Sequence, residues 1–306
     1  MTVTSLIFVY SIAILFASLI GGWLPSKMKL GHTRTQIMMS YVAGFMLGVA
    51  FYHLLPHAVS KLAGHGGVDH AVWWLMVGLL LMFVLLRLFH FHQHGPVESD
   101  HEHDHGHSHN LKTAHNHDEK TARTQLASNM SWLGVAFGLA LHTLIDGIAL
   151  GAAVQADSAE HAPLGLLGFG VFLAIVLHKP LDAISISSIM HASGWSLKSQ
   201  TVVNLVFATM CPIGAYLFLF GADSLGDSQN MVIGSALAFS AGVFICISLS
   251  DLLPEIQFHS HDRGKLTLAL VLGVITAYGI GLVEPESAHH ESASAQKFIG
   301  DQRIEG

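Results

Sequence analysis

Charge is scarce in this sequence. Asp, Glu, Lys and Arg make up 11% of its residues, whereas a soluble domain carries about a quarter. That scarcity excludes an ordinary water-exposed surface. Cysteine is thinner still: Cys211 and Cys246 both lie in apolar runs, give no CxxC and no disulfide framework, and read as small packing residues. A basic patch is missing too. The net charge of −7 is spread over loops and tails, which argues against a nucleic-acid partner. No Lys or Arg precedes the first apolar run at Ser5, the first being Lys27, so the positive start of a cleavable signal peptide is lacking and the run reads as a spanning helix. HExxH falls only within the polar histidine tract, at His101–His105, and in none of the apolar runs, and GxSxG does not occur, which leaves no zinc-hydrolase helix within a span and no nucleophilic serine elbow.

What is abundant is apolar sequence, 51% of the residues. It comes in runs of roughly 18 to 25, the length that crosses a hydrocarbon core about 30 Å thick. Eight spans are expected, at about 5–24, 35–55, 71–90, 131–154, 164–190, 197–221, 230–253 and 265–283, separated by Gly, Pro, His and Lys punctuation. The fold class is an all-α polytopic membrane protein. Lys and Arg in short loops mark the cytoplasmic side. Lys27, Lys29, Arg34, Arg87, Lys112, Lys120, Arg123, Lys198, Arg263 and Lys265 share one side, while Lys61, Lys297 and Arg303 share the other. Both termini, including the tail 284–306, are therefore expected outside the cytoplasm. The chain divides into spans one to three (1–90), a cytoplasmic loop (91–130), spans four and five (131–190), spans six to eight (191–283) and that tail. The short loops suggest a bacterial inner membrane.

The 91–130 loop is polar and of low complexity. Ten histidines lie between His90 and His117, and His101, His103, His105, His107 and His109 alternate in HEHDHGHSH. Such a tract cannot build a packed core and is expected to be disordered. Imidazoles at this density bind zinc or nickel loosely; a solvated linker of biased composition is the plainer alternative.

The second and seventh spans resemble each other. AGFMLGVAFYHLLPHA from Ala43 and AGVFICISLSDLLPEI from Ala241 match at a constant offset, so that His53-Leu-Leu-Pro-His57 aligns with Asp251-Leu-Leu-Pro-Glu255. The seventh comes five spans after the second, an odd step, so they run in opposite directions. That is the signature of an inverted repeat, a common basis of alternating access. The fourth and fifth spans, also antiparallel, repeat H-x-x-x-D as His142/Asp146 and His178/Asp182.

A spacing of i, i+4 places His and Asp on one helical face. Two such faces meeting supply two imidazoles and two carboxylates, a set that suits zinc and tolerates cadmium, iron or manganese. Ionisable groups near mid-span cost at least about 2.5–3.5 kcal/mol on insertion scales and are functional candidates by default. A satisfied polar bridge between helices is the bland reading of any one of them. Lys179 needs a carboxylate, with Asp146 and Asp182 the available partners, or else a path to water. Paired, its fixed charge would stand in for a second metal ion. Pro180 removes a backbone hydrogen bond and kinks the fifth span. His53 and His57 form a candidate stop on the way in, and Asp251 and Glu255 a candidate stop on the way out, helped by His259 and His261. Ordinary interfacial polarity is the alternative for both.

These residues resemble the ZIP (Zrt-/Irt-like protein) family of metal transporters over nearly the whole chain. HTLIDGIALGAA from His142 looks like the family's H-S-x-x-D-G pattern and HKPLD from His178 its H-E/N-x-P-E, while AGxxLGxAFxHLLP and LLPE in the second and seventh spans also look familial. The resemblance implies a 3+2+3 inverted-repeat bundle. It implies elevator-like or rocking motion, import toward the cytoplasm and frequent homodimers. By position it implies a site lined by His142, Thr143, Asp146, His178 and Asp182, with Asn204 of the sixth span a further candidate. Lys179 stands where many members have Glu or Asn, which there helps hold a second metal. Pro180 comes one place early, and Asp182 replaces Glu with a shorter reach. A mononuclear site follows, with zinc as the expected cargo. The competing readings are a cation diffusion facilitator-like exporter, an intramembrane metal-dependent hydrolase and a metal sensor. The first normally has six spans and a folded cytoplasmic C-terminal domain, the second a three-ligand site open to water, and the third leaves a core site without purpose.

Overall fold

A computed structural model describes residues 2–23, 32–90, 117–159, 167–258 and 263–282 of the chain. Among these the apolar runs form eight helices long and apolar enough to cross a membrane. Helix α1 is Val3–Trp23. Helix α2 starts as His32–Val49, passes through a π turn at Ala50–Leu54 and resumes as Leu55–Lys61. It is followed by α3, Gly67–His90, and α4, His117–Ala159. Then come α5, Phe169–Ala192, and α6, Leu197–Asp223. The last two are α7, Gln229–Phe258, and α8, Arg263–Gly281. The chain is thus a polytopic helical membrane protein. Lipid-length apolar faces are left outward, with Phe16, Trp73, Leu217 and Leu268 each at least 60% exposed.

Two boundaries differ from expectation. The second span does not stop at Pro56, because proline falls in the first turn after the π turn, where a missing N–H costs nothing. The fourth helix begins at His117, well inside the stretch read as loop. Helix continues there because its sequence from Glu119 to Leu126 is rich in good helix formers.

The packing obeys an in-plane pseudo-two-fold. Helix α2 pairs with α8 as α3 does with α7, and α4 pairs with α6 as α1 does with α5. The closest approaches are glycine against backbone, and they too are related by the repeat. Gly44 lies on the backbone of Leu270 and Gly242 on that of Leu75; Gly273 lies on Tyr41 and Gly78 on Phe239. Likewise Gly214 sits on Leu144, and Gly21 on Pro180. Between helices in lipid, where burial of apolar surface gives little, such small-residue contacts carry the association. They sort the bundle into two four-helix units, α1/α4/α5/α6 and α2/α3/α7/α8. Contacts between the units run through α2 and α7 against α5 and α4, with a further seam between α3 and α4.

Burial along α4 is lopsided. Every residue from Ala149 to Asp157 is buried, whereas Phe137 is exposed and Leu139–Leu141 only half-buried. The half of the bundle where α2 and α4 end is closed around the main apolar core, and among the described residues α4 is less buried in the opposite half, the looser one.

Candidate metal site

The i, i+4 pairs on α4 and α5 meet inside the bundle. His142, Asp146, His178 and Asp182 each offer a ligand atom, and all four atoms lie within 4.8 Å of one another. His142 Nδ1 is 3.5 Å from Asp146 Oδ1, and its Nε2 is 3.7 Å from Asp182 Oδ2. His178 Nε2 is 3.2 Å from Asp146 Oδ2 and 3.8 Å from Asp182 Oδ2. Zinc bonds of about 2.0–2.2 Å in a tetrahedron set ligand-to-ligand edges near 3.4 Å, so these spacings need to shift little to close on one ion.

Orientation is supplied from outside the cluster. His178 Nδ1 donates to the Ala174 carbonyl at 2.7 Å. That fixes the ring and directs Nε2 at the carboxylates, the arrangement that holds an imidazole ready for a cation. Both ring nitrogens of His142, Asp146 Oδ1 and Asp182 Oδ2 are buried without a hydrogen-bond partner. Unsatisfied polar atoms inside a bundle are costly; one nitrogen of His142, Asp146 Oδ1 and Asp182 Oδ2 can be satisfied together by one cation. Asp146 is fully buried, while the side chain of Asp182 retains 16% of its exposure. The cluster therefore opens on the Asp182 side, toward the looser half.

Lys179 is completely buried and lies beside the cluster. Its Nζ donates to Thr143 Oγ1 at 2.7 Å and lies 3.2 Å from Asp146 Oδ2 and 3.6 Å from Asp182 Oδ2. It also stands 4.8 Å from the centre of the Phe207 ring, a cation–π contact. It is paired with the two carboxylates, not extended to solvent. Thr143, itself donating to Leu139 O, serves this ammonium. Asn204 is not among the converging groups: its amide donates to Ser18 O at 3.1 Å and accepts from Ser18 Oγ at 3.3 Å, joining α6 to α1.

His53 and His57 line a small cavity at the closed end with Asp157, Gly168 and Gly170. His53 sits on the π turn and donates from Nε2 to the Ala277 carbonyl at 2.8 Å, so one nitrogen is committed to α8. His57 Nδ1 is 3.7 Å from Asp157 Oδ1. Asp157 also accepts from the Gly168 N–H at 2.7 Å, with Gly168 in the left-handed region at φ 64° as the residue opening α5. Asp157 was not singled out from sequence. It stands eleven residues after Asp146, about three helical turns along the same face, and that spacing is the signal that would have found it. The side chains of Asp251 and Glu255, and the loop histidines His101, His103, His105, His107 and His109, lie outside the described residues.

Comparison with known proteins follows the same lines. The family model described as "ZIP Zinc transporter" matches residues 4–282. "Zinc transporter ZIP9" of Xenopus tropicalis is 31% identical over 53% of this chain and 55% of that protein. "Zinc transporter foi" of Drosophila melanogaster is 33% identical over 51% of this chain and 20% of that protein. "Zinc transporter zipt-7.2" of Caenorhabditis elegans is 26% identical over 81% of this chain and 58% of that protein. The chain spans less than two thirds of the length of each of these relatives. With a match that runs from the first helix to the last and covers both His/Asp motifs, the chain belongs to the ZIP zinc transporter family.

Proposed function

We propose that the protein carries a divalent transition metal, zinc above all, across the membrane. One ion would be held by His142, Asp146, His178 and Asp182. The observation that carries this is the convergence of two imidazoles and two carboxylates from antiparallel helices within a span, with four of their atoms unsatisfied. Mixed nitrogen and oxygen donors suit zinc and admit cadmium, iron or manganese. The site is mononuclear, because the Lys179 ammonium already holds Asp146 Oδ2 where a second cation would need it.

Movement follows from the two glycine-seamed units. All four ligands ride on α4 and α5, within one unit, and the other unit provides the wall against which they slide or rock. Import toward the cytoplasm, with both termini outside, is read from the family resemblance and the Lys/Arg asymmetry of the loops. A hydrated ion would arrive past His53 and His57, exchange water for the four ligands and leave on the Asp182 side toward Asp251, Glu255 and the loop histidines. The closed half around His53 and the opening at Asp182 support an inward-facing arrangement. Homodimer formation and a bacterial inner membrane complete the reading, the first from the resemblance and the second from the short loops.

The test is uptake of radioactive zinc in proteoliposomes. His178→Ala and Asp146→Ala should each abolish it. Unchanged uptake in both refutes the site, and net efflux under an inward gradient of protons favours an exporter.

A further inference from the structure

A metal carrier completes its cycle only if the empty site also crosses back, and here the empty site is a cluster of buried carboxylates. We propose that Lys179 is the built-in counter-charge for that return, balancing the empty and loaded forms of the site against each other. The proposal rests on the transport reading above and goes beyond it. It concerns the half of the cycle in which no metal is bound.

The geometry lets the ammonium and a metal coexist. Lys179 touches Asp146 through Oδ2, whereas the other oxygen, Oδ1, faces His142 and has no hydrogen bond. Asp146 thus presents one oxygen to each cation. Thr143 Oγ1 and the Phe207 face hold the ammonium from its remaining sides, and neither is a group a loaded metal would claim. The lysine stays put when the ion arrives.

The formal charges then decide the energetics. Two carboxylates facing one ammonium leave the empty site one charge nearer neutrality than the carboxylates alone would, while a divalent cation with metal-bound imidazoles brings the loaded site to plus one. Without the lysine both states would be one charge more negative. The cost of holding net charge in a low-dielectric interior grows as its square. Lys179 moves part of that penalty from the empty form to the loaded one. Lys179 therefore weakens binding, by repulsion of the dication, and in exchange makes the unloaded site movable.

The measurement is a comparison of two fluxes of radioactive zinc in proteoliposomes. Zinc-for-zinc exchange, with zinc on both sides, never requires the empty site to cross; net uptake into zinc-free vesicles does. In Lys179→Met, which keeps length and removes charge, the ratio of net uptake to exchange should fall about tenfold or more below that of wild type. Net uptake and exchange falling together, or neither falling, overturns the proposal. Should the Met variant fail to assemble, wild type alone decides. A loaded site of charge plus one makes exchange sensitive to an imposed potassium diffusion potential, and insensitivity overturns the proposal. Wild-type protein showing neither flux sinks the transport reading itself, a different failure.

Discussion

Replacing Gly147 by alanine adds one methyl group to the seam between α4 and α6, at a residue that is no ligand. The added Cβ would lie 2.8 Å from Ala215 N and 2.9 Å from Cys211 C, and closer still to Cys211 O. Carbon contacts are at rest near 3.5–4.0 Å, so the helices must part by about 1 Å. All three atoms are backbone, and no side-chain rotation relieves the clash. Overpacking of this kind costs about 1–3 kcal/mol. The functional loss is larger in proportion. Asp146 is the next residue along the chain and His142 sits one turn and a half away, while metal bonds tolerate only about 0.2 Å of error. Disturbed support of metal ligands typically lowers affinity about 10–100-fold, or about 1.4–2.7 kcal/mol. Gly147→Ala should therefore bind zinc about 10–100-fold more weakly by calorimetry, with every ligand intact. Gly279→Ala is the control: it has open space around its Cβ and should be neutral or stabilising by up to about 1 kcal/mol. Wild-type affinity and thermal stability in Gly147→Ala would refute the view that glycine contacts position the site.

Asp157→Leu removes the acceptor of the Gly168 N–H and the partner of His57. It should cost about 1–3 kcal/mol in thermal unfolding and slow zinc uptake, and an unaltered melting profile would count against its bridging role. Deleting 98–118 removes the alternating histidines and should change the zinc concentration for half-maximal uptake while sparing the maximal rate; complete loss of uptake would show the loop to be essential.

The features read most directly from sequence were those with a strict period or a high cost. Eight spans followed from apolar length alone, and the two H-x-x-x-D faces from a four-residue spacing that any α-helix must bring to one side. The pairing of Lys179 with Asp146 and Asp182 was one of two open readings, and burial of the ammonium decides it. The π turn was illegible, because AFYHL carries no breaker and its wider winding is imposed by neighbouring helices. Asn204 shows that a polar residue at mid-span can satisfy its amide on the adjacent backbone, as it does on Ser18, a pairing that its sequence does not announce. Asp157 escaped because polar residues near a helix end are common, and its partners His57 and Gly168 come from two other segments.

The π turn has one more consequence. The repeated segments of α2 and α7 align without a gap, yet α7 stays α-helical through the positions where α2 widens. A wide turn withholds about one residue's worth of rotation, near 100°. Before it, Gly44 and Gly242 occupy equivalent settings; after it, the backbone of α2 is wound differently from that of α7. A gene-duplicated frame would otherwise offer mirror-like thresholds at its two faces. One underwound turn makes the two ends of the bundle distinct, so a molecule assembled from matching halves has a front and a back.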